Sequence, residues 1–287
     1  MTTIVALAVV LSALMHASWN ALVKGGDDGW LTGTLISGFA AAAGLVVVIA
    51  IAPWPEPHHW PWLIGSGTLH ASYFVLLMCA YTYGDLGKVY GIARGTAPLV
   101  IVALAGPLVG DLPTWQEIAA ILVLVAGVVA LTFEPGKFAT ADFKAVVLAI
   151  LTGSMIAAYS LFDAIGIRTI GPELQYASVT YGAWLMIFTA MPVLAIAAVI
   201  RHGRILPYMR ANALKGAVGG VIGVASYMLI LFAFAQASVA SVAALRETGV
   251  VFAALIGTFI LGERLGKRRI PAAILVAVGA GAIKFVA

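Results

Sequence analysis

The chain has 287 residues, of which 62% are hydrophobic and only 10% charged, with a net charge of +4 and a mean hydropathy of +1.06. A soluble domain carries roughly 25% charged residues, so the composition excludes an ordinary water-soluble fold and belongs to an integral membrane protein. The basic balance does not point to nucleic acid, because most Lys and Arg fall between the apolar runs, where membrane proteins collect them in cytoplasmic loops.

A hydrocarbon core about 30 Å thick needs roughly 20 apolar residues per helix. Apolar runs of that kind predict ten spans, at 4–23, 31–52, 62–83, 89–109, 116–133, 143–165, 174–200, 212–235, 239–261 and 270–286. The N-terminal MTTIVALAVV lacks the positive start of a cleaved signal peptide and reads as the first helix. That first span sets Ser12, His16, Trp19 and Asn20 at i, i+4, i+7 and i+8, on one helical face. Pro53, Pro55, Pro57 and Pro61 mark the loop before span three. His58 and His59 in that loop are the only adjacent histidines, and no metal-ligand spacing is present.

Span three carries Ser66, His70 and Tyr73 on one face and also holds the single Cys79, so no intrachain disulfide can form. At its end, Tyr83-Gly84-Asp85 is similar to an intramembrane aspartyl-protease motif, but position 82 is Thr where that motif needs Gly. Arg94 lies about five residues into span four, and EPGKFATAD at 134–142 divides the chain in the middle. Span six carries Thr152, Tyr159 and Ser160 with Asp163 one turn on, and span seven carries Tyr176, Thr180 and Trp184. Span eight holds Tyr227 and the glycines 216, 219, 220 and 223, whose Gly-x-x-x-Gly spacing favours close packing within the monomer over a dimer interface. Span nine contains the adjacent charges Arg246 and Glu247.

The chain repeats itself. Shifted by 152 residues, 94–133 lies on 246–285 without a gap, so that Arg94 meets Arg246, Thr96 meets Thr248, Gly110 meets Gly262, Asp111 meets Glu263 and Gly127 meets Gly279. Ala71-Ser72-Tyr73 falls on Ala225-Ser226-Tyr227 after a two-residue adjustment, and the first helices match at a shift of 140, Trp19 on Tyr159 and Asn20 on Ser160. The expected fold is therefore all-α integral membrane, ten transmembrane helices as two five-helix repeats, 1–134 and 143–287. Five is odd, so the second repeat enters the membrane inverted. Inverted repeats of this kind build secondary transporters, with the site near the midplane at the repeat interface.

Ten spans in two repeats, with VVFAALIGTFILGERL before the last helix, PLVIVALAGPLVGDLP in the first half, and Leu14 to Lys24 in the first helix, resemble the EamA branch of the drug/metabolite transporter superfamily. The resemblance runs over essentially the whole chain. It implies transport of a small metabolite; some members export amino acids, and others handle purines, sugars or cationic drugs. The Arg246-Glu247 pair ahead of Thr248 departs from the commoner uncharged pattern of that branch.

Charges at the depth of Arg94, Arg246 and Glu247 normally face a bundle interior or a wet cavity. Neighbours on a helix point about 100° apart, so Arg246 and Glu247 each need a partner elsewhere. The structural alternative is that Arg246 snorkels outward and Glu247 caps a broken helix start. The candidate substrate-binding residues are His16, Trp19, Asn20, His70, Tyr73, Arg94, Tyr159, Trp184, Tyr227, Arg246 and Glu247. No catalytic residue, cofactor or phosphate-binding loop is expected. The reading is a secondary active transporter exporting a small polar or amphiphilic metabolite, such as an amino acid, by alternating access. The alternatives are a proton-coupled efflux carrier for cationic drugs and, in a different class, a passive channel. The expected partners are the substrate and the lipid bilayer, with a monomer preferred to a homodimer.

Lys and Arg are distributed 12 to 2 between the two sides, in favour of the loops after spans one, three, five, seven and nine. That places those loops in the cytoplasm and both termini on the outer side of the inner membrane. In a Cys79→Ala background, an impermeant thiol reagent on intact cells should label Thr3→Cys and spare Arg204→Cys. The reverse pattern would invert the topology.

Overall fold

Polar side chains cap the starts of two helices. Asp28 caps α2 (Gly29–Ala50), its Oδ1 accepting the Leu31 N–H at 3.1 Å. At α5 (Trp115–Thr132), Thr114 and Glu117 form a reciprocal capping box: Glu117 N–H donates to Thr114 Oγ1 at 3.2 Å, and Thr114 N–H donates to Glu117 Oε2 at 2.8 Å. Gly110, at φ +80, closes the end of α4 (Leu86–Val109) in the left-handed region that suits glycine.

The computed structural model describes residues 1–24, 26–51, 53–83, 86–132, 143–174, 176–259 and 269–287. Its remaining helices are α1 (Thr3–Lys24), α3 (Trp60–Tyr83), α6 (Phe143–Ile170), α7 (Ala177–Ile200), α8 (Ile205–Phe234), α9 (Val239–Arg246), α10 (Gly249–Phe259) and α11 (Arg269–Val286), with a 3₁₀ turn at Gly171–Glu173. There is no strand among the described residues. Nine segments among them are long and apolar enough to cross a membrane, α9 and α10 together counting as one, and Ile270–Val286 is a shorter apolar helix. Gly84 and Asp85, the 134–142 loop, Gly262 and Glu263 of the repeat register, and Lys137, Arg264, Lys267 and Arg268 of the charge count lie outside the described residues.

Two spans differ from the sequence expectation. Span eight was expected from 212, but α8 begins at Ile205 and changes direction at Asn212, whose φ −125 and ψ 19 are not helical. The segment from Ile205 to Asn212 is thus about two helical turns on the near side of a kink. Span nine was expected as one helix, and it is broken at Glu247 and Thr248.

In packing, α2 lies on α7 and α5 lies on α11. Helix α1 packs on α8, α9 and α10, while α6 packs on α3 and α4; α2 also meets α8, and α3 meets α7. Helices in lipid associate through close van der Waals fit, and small residues permit it. A Cβ at Gly127 would lie 2.7 Å from the Val276 nitrogen, and one at Gly279 would lie 2.6 Å from the Leu124 nitrogen, so the repeat-matched glycines set the α5–α11 contact. Of the span-eight glycines, Gly216, Gly219 and Gly220 press on Leu35, Ile36, Phe39 and Ala40 of α2, whereas Gly223 faces open space. Gly220→Leu should therefore lower stability by at least about 1–3 kcal/mol, because the atoms it meets are α2 backbone that cannot swing away. Gly223→Ala should leave the unfolding midpoint in detergent unchanged. Equal effects at both sites would contradict this packing.

Candidate functional site

The break between α9 and α10 organises the site. Glu247 N–H donates to the Ala244 carbonyl at 2.9 Å and Thr248 N–H to that of Leu245 at 3.1 Å, so the chain tightens to i→i−3 bonds for one turn. Arg246 ends α9, at the negative end of its dipole, and Glu247 precedes α10, at the positive end. The order Arg-Glu thus matches both helix ends. Irregular backbone at membrane depth is tolerated where protein buries it or a cavity hydrates it, and Glu247 and Thr248 are both buried.

Glu247 finds its partner across the bundle. Arg94 Nη1 of α4 donates to Glu247 Oε1 at 3.0 Å, with both side chains almost completely buried. Arg94 also lies over the Tyr90 ring, 5.1 Å from its centroid. Arg246 has no carboxylate partner and no hydrogen bond among the described residues. Its guanidinium lies over Tyr227 at 5.6 Å, and its Nε is buried without a partner.

A cavity of about 950 Å³ extends from Arg246 and Tyr227 to the turn at Gly26–Gly29. It is lined by eight of the eleven sequence candidates, His16, Trp19, Asn20, His70, Tyr73, Tyr159, Tyr227 and Arg246. Phe74, Tyr81 and Tyr90 extend the aromatic wall. Arg94, Glu247 and Trp184 do not line it. Arg94 and Glu247 are engaged with each other behind the wall. Trp184 instead meets Trp54 and Trp60 edge-on, at centroid distances of 5.0 and 5.5 Å, and stacks with Phe188 at 6.2 Å.

Asp163 has a larger role than its place in the sequence suggested. It is fully buried on α6 and accepts hydrogen bonds from Ser66 of α3, Tyr227 of α8 and Tyr181 of α7, the last at 3.2 Å. The available signal was the carboxylate itself, since an ionisable group in an apolar span marks a site by default. Its partners come from three other helices, which spacing along one helix cannot reveal.

At the end opposite the cavity mouth, polar contacts join the two halves. Arg168 of α6 grips Asp111 through both Nη atoms, at 2.8 and 3.1 Å, and donates to the carbonyls of Phe234 and Ala237. Ser241 donates to Glu117 Oε1 at 2.8 Å. His58 and His59, unremarkable by spacing, meet Glu173 Oε2 at 2.6 and 3.1 Å, a grouping with the chemistry of a metal site. However, His59 Nδ1 accepts the Glu56 N–H at 3.2 Å, so the neutral ring carries its proton on Nε2 and donates it to Glu173. That tautomer offers no Nε2 lone pair to a metal.

Residues 143–284 match the model of the EamA-like transporter family. The chain belongs to that family. It is therefore a multi-pass membrane protein and a transporter of the drug/metabolite type rather than an enzyme. A solved structure described as "Crystal structure of protein" is 19% identical over 99% of this chain and 96% of its own, with a TM-score of 0.77, a likeness of fold. The comparison with curated proteins found no match.

In this EamA-like bundle the Arg94–Glu247 pair should behave as a buried ion pair. Arg94→Met or Glu247→Gln alone leaves one charge or carboxyl without its partner and should cost about 3–5 kcal/mol, while the double substitution should cost less than either single one. Chemical denaturation in detergent micelles measures all three. Additive losses would show that the two groups do not act as a pair.

Proposed function

We propose that this EamA-like protein is a secondary transporter that exports a small amphiphilic metabolite bearing a carboxylate, an amino acid or a close relative, by alternating access. The observation that carries this reading is Arg246: a permanent cation, buried and without a carboxylate partner among the described residues, on the wall of an aromatic cavity. A guanidinium suits a carboxylate in geometry and charge, and the aromatic wall suits an apolar body. The cationic-drug alternative needs a free carboxylate deep in the cavity. Glu247 is taken up by Arg94, and Asp163 is covered by three hydroxyls.

The alternating-access part rests on two inverted repeats, 1–134 and 143–287, forming ten spans with α9 and α10 as one broken span. The packing supports it, because exchanging the halves turns the contacts of α6 with α3 and α4 into those of α1 with α8 and α9–α10. The same exchange turns α2–α8 into α3–α7 and leaves α2–α7 and α5–α11 in place. A discontinuous helix near the midplane is where such carriers hold substrate. The cavity mouth includes Asp27, Asp28 and Arg201, on the side that the Lys and Arg count assigns to the cytoplasm, which suits a carrier loading from within and both termini outside the inner membrane.

Counterflow of radiolabelled L-phenylalanine in proteoliposomes tests the reading. 3-Phenylpropionate, which keeps the carboxylate, should compete, and phenethylamine, which keeps only the amine, should not. Arg246→Gln should weaken binding about 10-fold or more, the effect of losing a charged hydrogen bond. Competition by the amine alone would overturn the carboxylate assignment.

A further inference from the structure

We propose that His70 and Asp163 hold one exchangeable proton between them, and that this proton travels with the substrate; the proposal rests on the transport reading and adds the coupling ion to it. The geometry begins at His70 Nδ1, which lies 3.0 Å from the Ser66 carbonyl oxygen. A carbonyl only accepts, so Nδ1 carries a hydrogen and donates it. In the neutral ring, Nε2 then presents a lone pair. Nε2 is buried, has no hydrogen-bond partner, and lies 3.8 Å from Asp163 Oδ2. A lone pair facing a carboxylate oxygen in a buried site is repulsive until a proton is placed between them. With that proton the pair becomes either an imidazolium beside a carboxylate or a neutral imidazole beside a carboxylic acid, and both attract.

The surroundings fix what else acts on the pair. Asp163 is met by the Ser66 hydroxyl from α3, Tyr181 from α7 and Tyr227 from α8. His70 is stacked on Tyr159 of α6 at 4.0 Å and meets the edge of Tyr227 at 4.9 Å. Arg246 of α9 is the full charge that acts on both groups. Arg94 of α4 is engaged by Glu247. The three hydroxyl donors hold Asp163 as a carboxylate once the proton leaves, so both states of the pair have a stable form. Glu247 has no such second state, because protonating it would break its ion pair with Arg94.

Access and coupling come from the same residues. His70, Tyr159 and Tyr227 line the cavity, which gives the proton a path to solvent. An anion brought to Arg246 cancels the positive charge that opposes an imidazolium at His70. Anion and proton therefore favour each other's binding, reciprocally. They cross together, and an outward substrate gradient carries protons out with it.

Two measurements test this in phosphatidylethanolamine–phosphatidylglycerol vesicles. With labelled L-phenylalanine, the wild-type protein should show counterflow and should also accumulate label when the outer buffer is acid. Asp163→Asn should keep counterflow and lose at least tenfold of the gradient-driven accumulation. Accumulation that survives in Asp163→Asn would overturn the proposal, whereas absence of wild-type counterflow would count against the transport reading instead. The second measurement needs no substrate and separates the two. Infrared difference spectra between acid and alkaline buffer should show carboxyl bands, and Tyr227→Phe, which deletes a single donor to Asp163, should shift them. Bands that superpose in the wild type and Tyr227→Phe would place the titrating carboxyl elsewhere and overturn the proposal.

Discussion

Charge burial inside an apolar bundle is the constraint on which the rest of this structure depends. Taking an ion out of water costs several kcal/mol even after the protein relaxes, and only a partner with good geometry recovers it. Among the described residues four buried charges lie around the cavity and the α9–α10 break, Arg94, Arg246, Glu247 and Asp163, and they are treated in three ways. Arg94 and Glu247 neutralise each other at 3.0 Å. Asp163 is surrounded by hydroxyls. Arg246 alone is left facing the cavity over an aromatic ring. The break in span nine allows this division. In a continuous helix Arg246 and Glu247 would stand about 100° apart within one hydrogen-bonded ladder. The tightened turn also gives each of them a helix end of favourable sign.

The two halves of the sequence contribute unequally to this division. At the shift of 152, Arg94 and Arg246 correspond, but Glu247 falls on Gly95 and Val250 falls on Pro98. Helix α4 runs through the corresponding region without a break, although Pro98 removes the helical donor that the Arg94 carbonyl would otherwise have. The first half thus carries a weakened helix with one cation, and the second half a broken helix with a cation and an anion. Glu247 bonds Arg94 and makes no hydrogen bond to Arg246. Its commitment to Arg94 leaves Arg246 facing the cavity without a carboxylate among the described residues.

Much of this was legible in the sequence, for a physical reason. A membrane span must be apolar over a fixed length, so helix positions can be read from composition alone, and the spans at 116–133 and 143–165 begin within a residue of α5 and α6. Polar residues repeated at helical spacing are legible too, and His16, Trp19, Asn20, His70, Tyr73, Tyr159 and Tyr227 all reach the cavity. Partner identity was not legible. Nothing along span nine shows that Glu247 will meet α4 rather than a ligand, and nothing along span six shows that Asp163 will collect Ser66, Tyr181 and Tyr227. Those pairings depend on helix rotation about the bundle axis, to which hydropathy is blind. The histidines at 58 and 59 show the same limit, since their partner Glu173 lies more than a hundred residues away.

The closed end of the bundle sets the energetic problem that any alternating carrier on this frame must solve. Arg168 ties Asp111 at the end of α4 to the carbonyls that follow α8, and Val239 N–H at the start of α9 returns a bond to the same Asp111 at 2.8 Å. One guanidinium and one carboxylate thus join the ends of four helices, with Ser241 and Glu117 adding a fifth. Arg168 and Asp111 are partly exposed, so water can replace each of their bonds as it opens, and the net cost per bond is then about 0.5–1.5 kcal/mol rather than that of a buried charge. The Arg94–Glu247 pair has no such relief, since nothing but protein surrounds it. In the proposed cycle the polar clasp at the closed end is therefore the part able to open and reseal, while the buried ion pair keeps α4 and the α9–α10 break together as one moving unit.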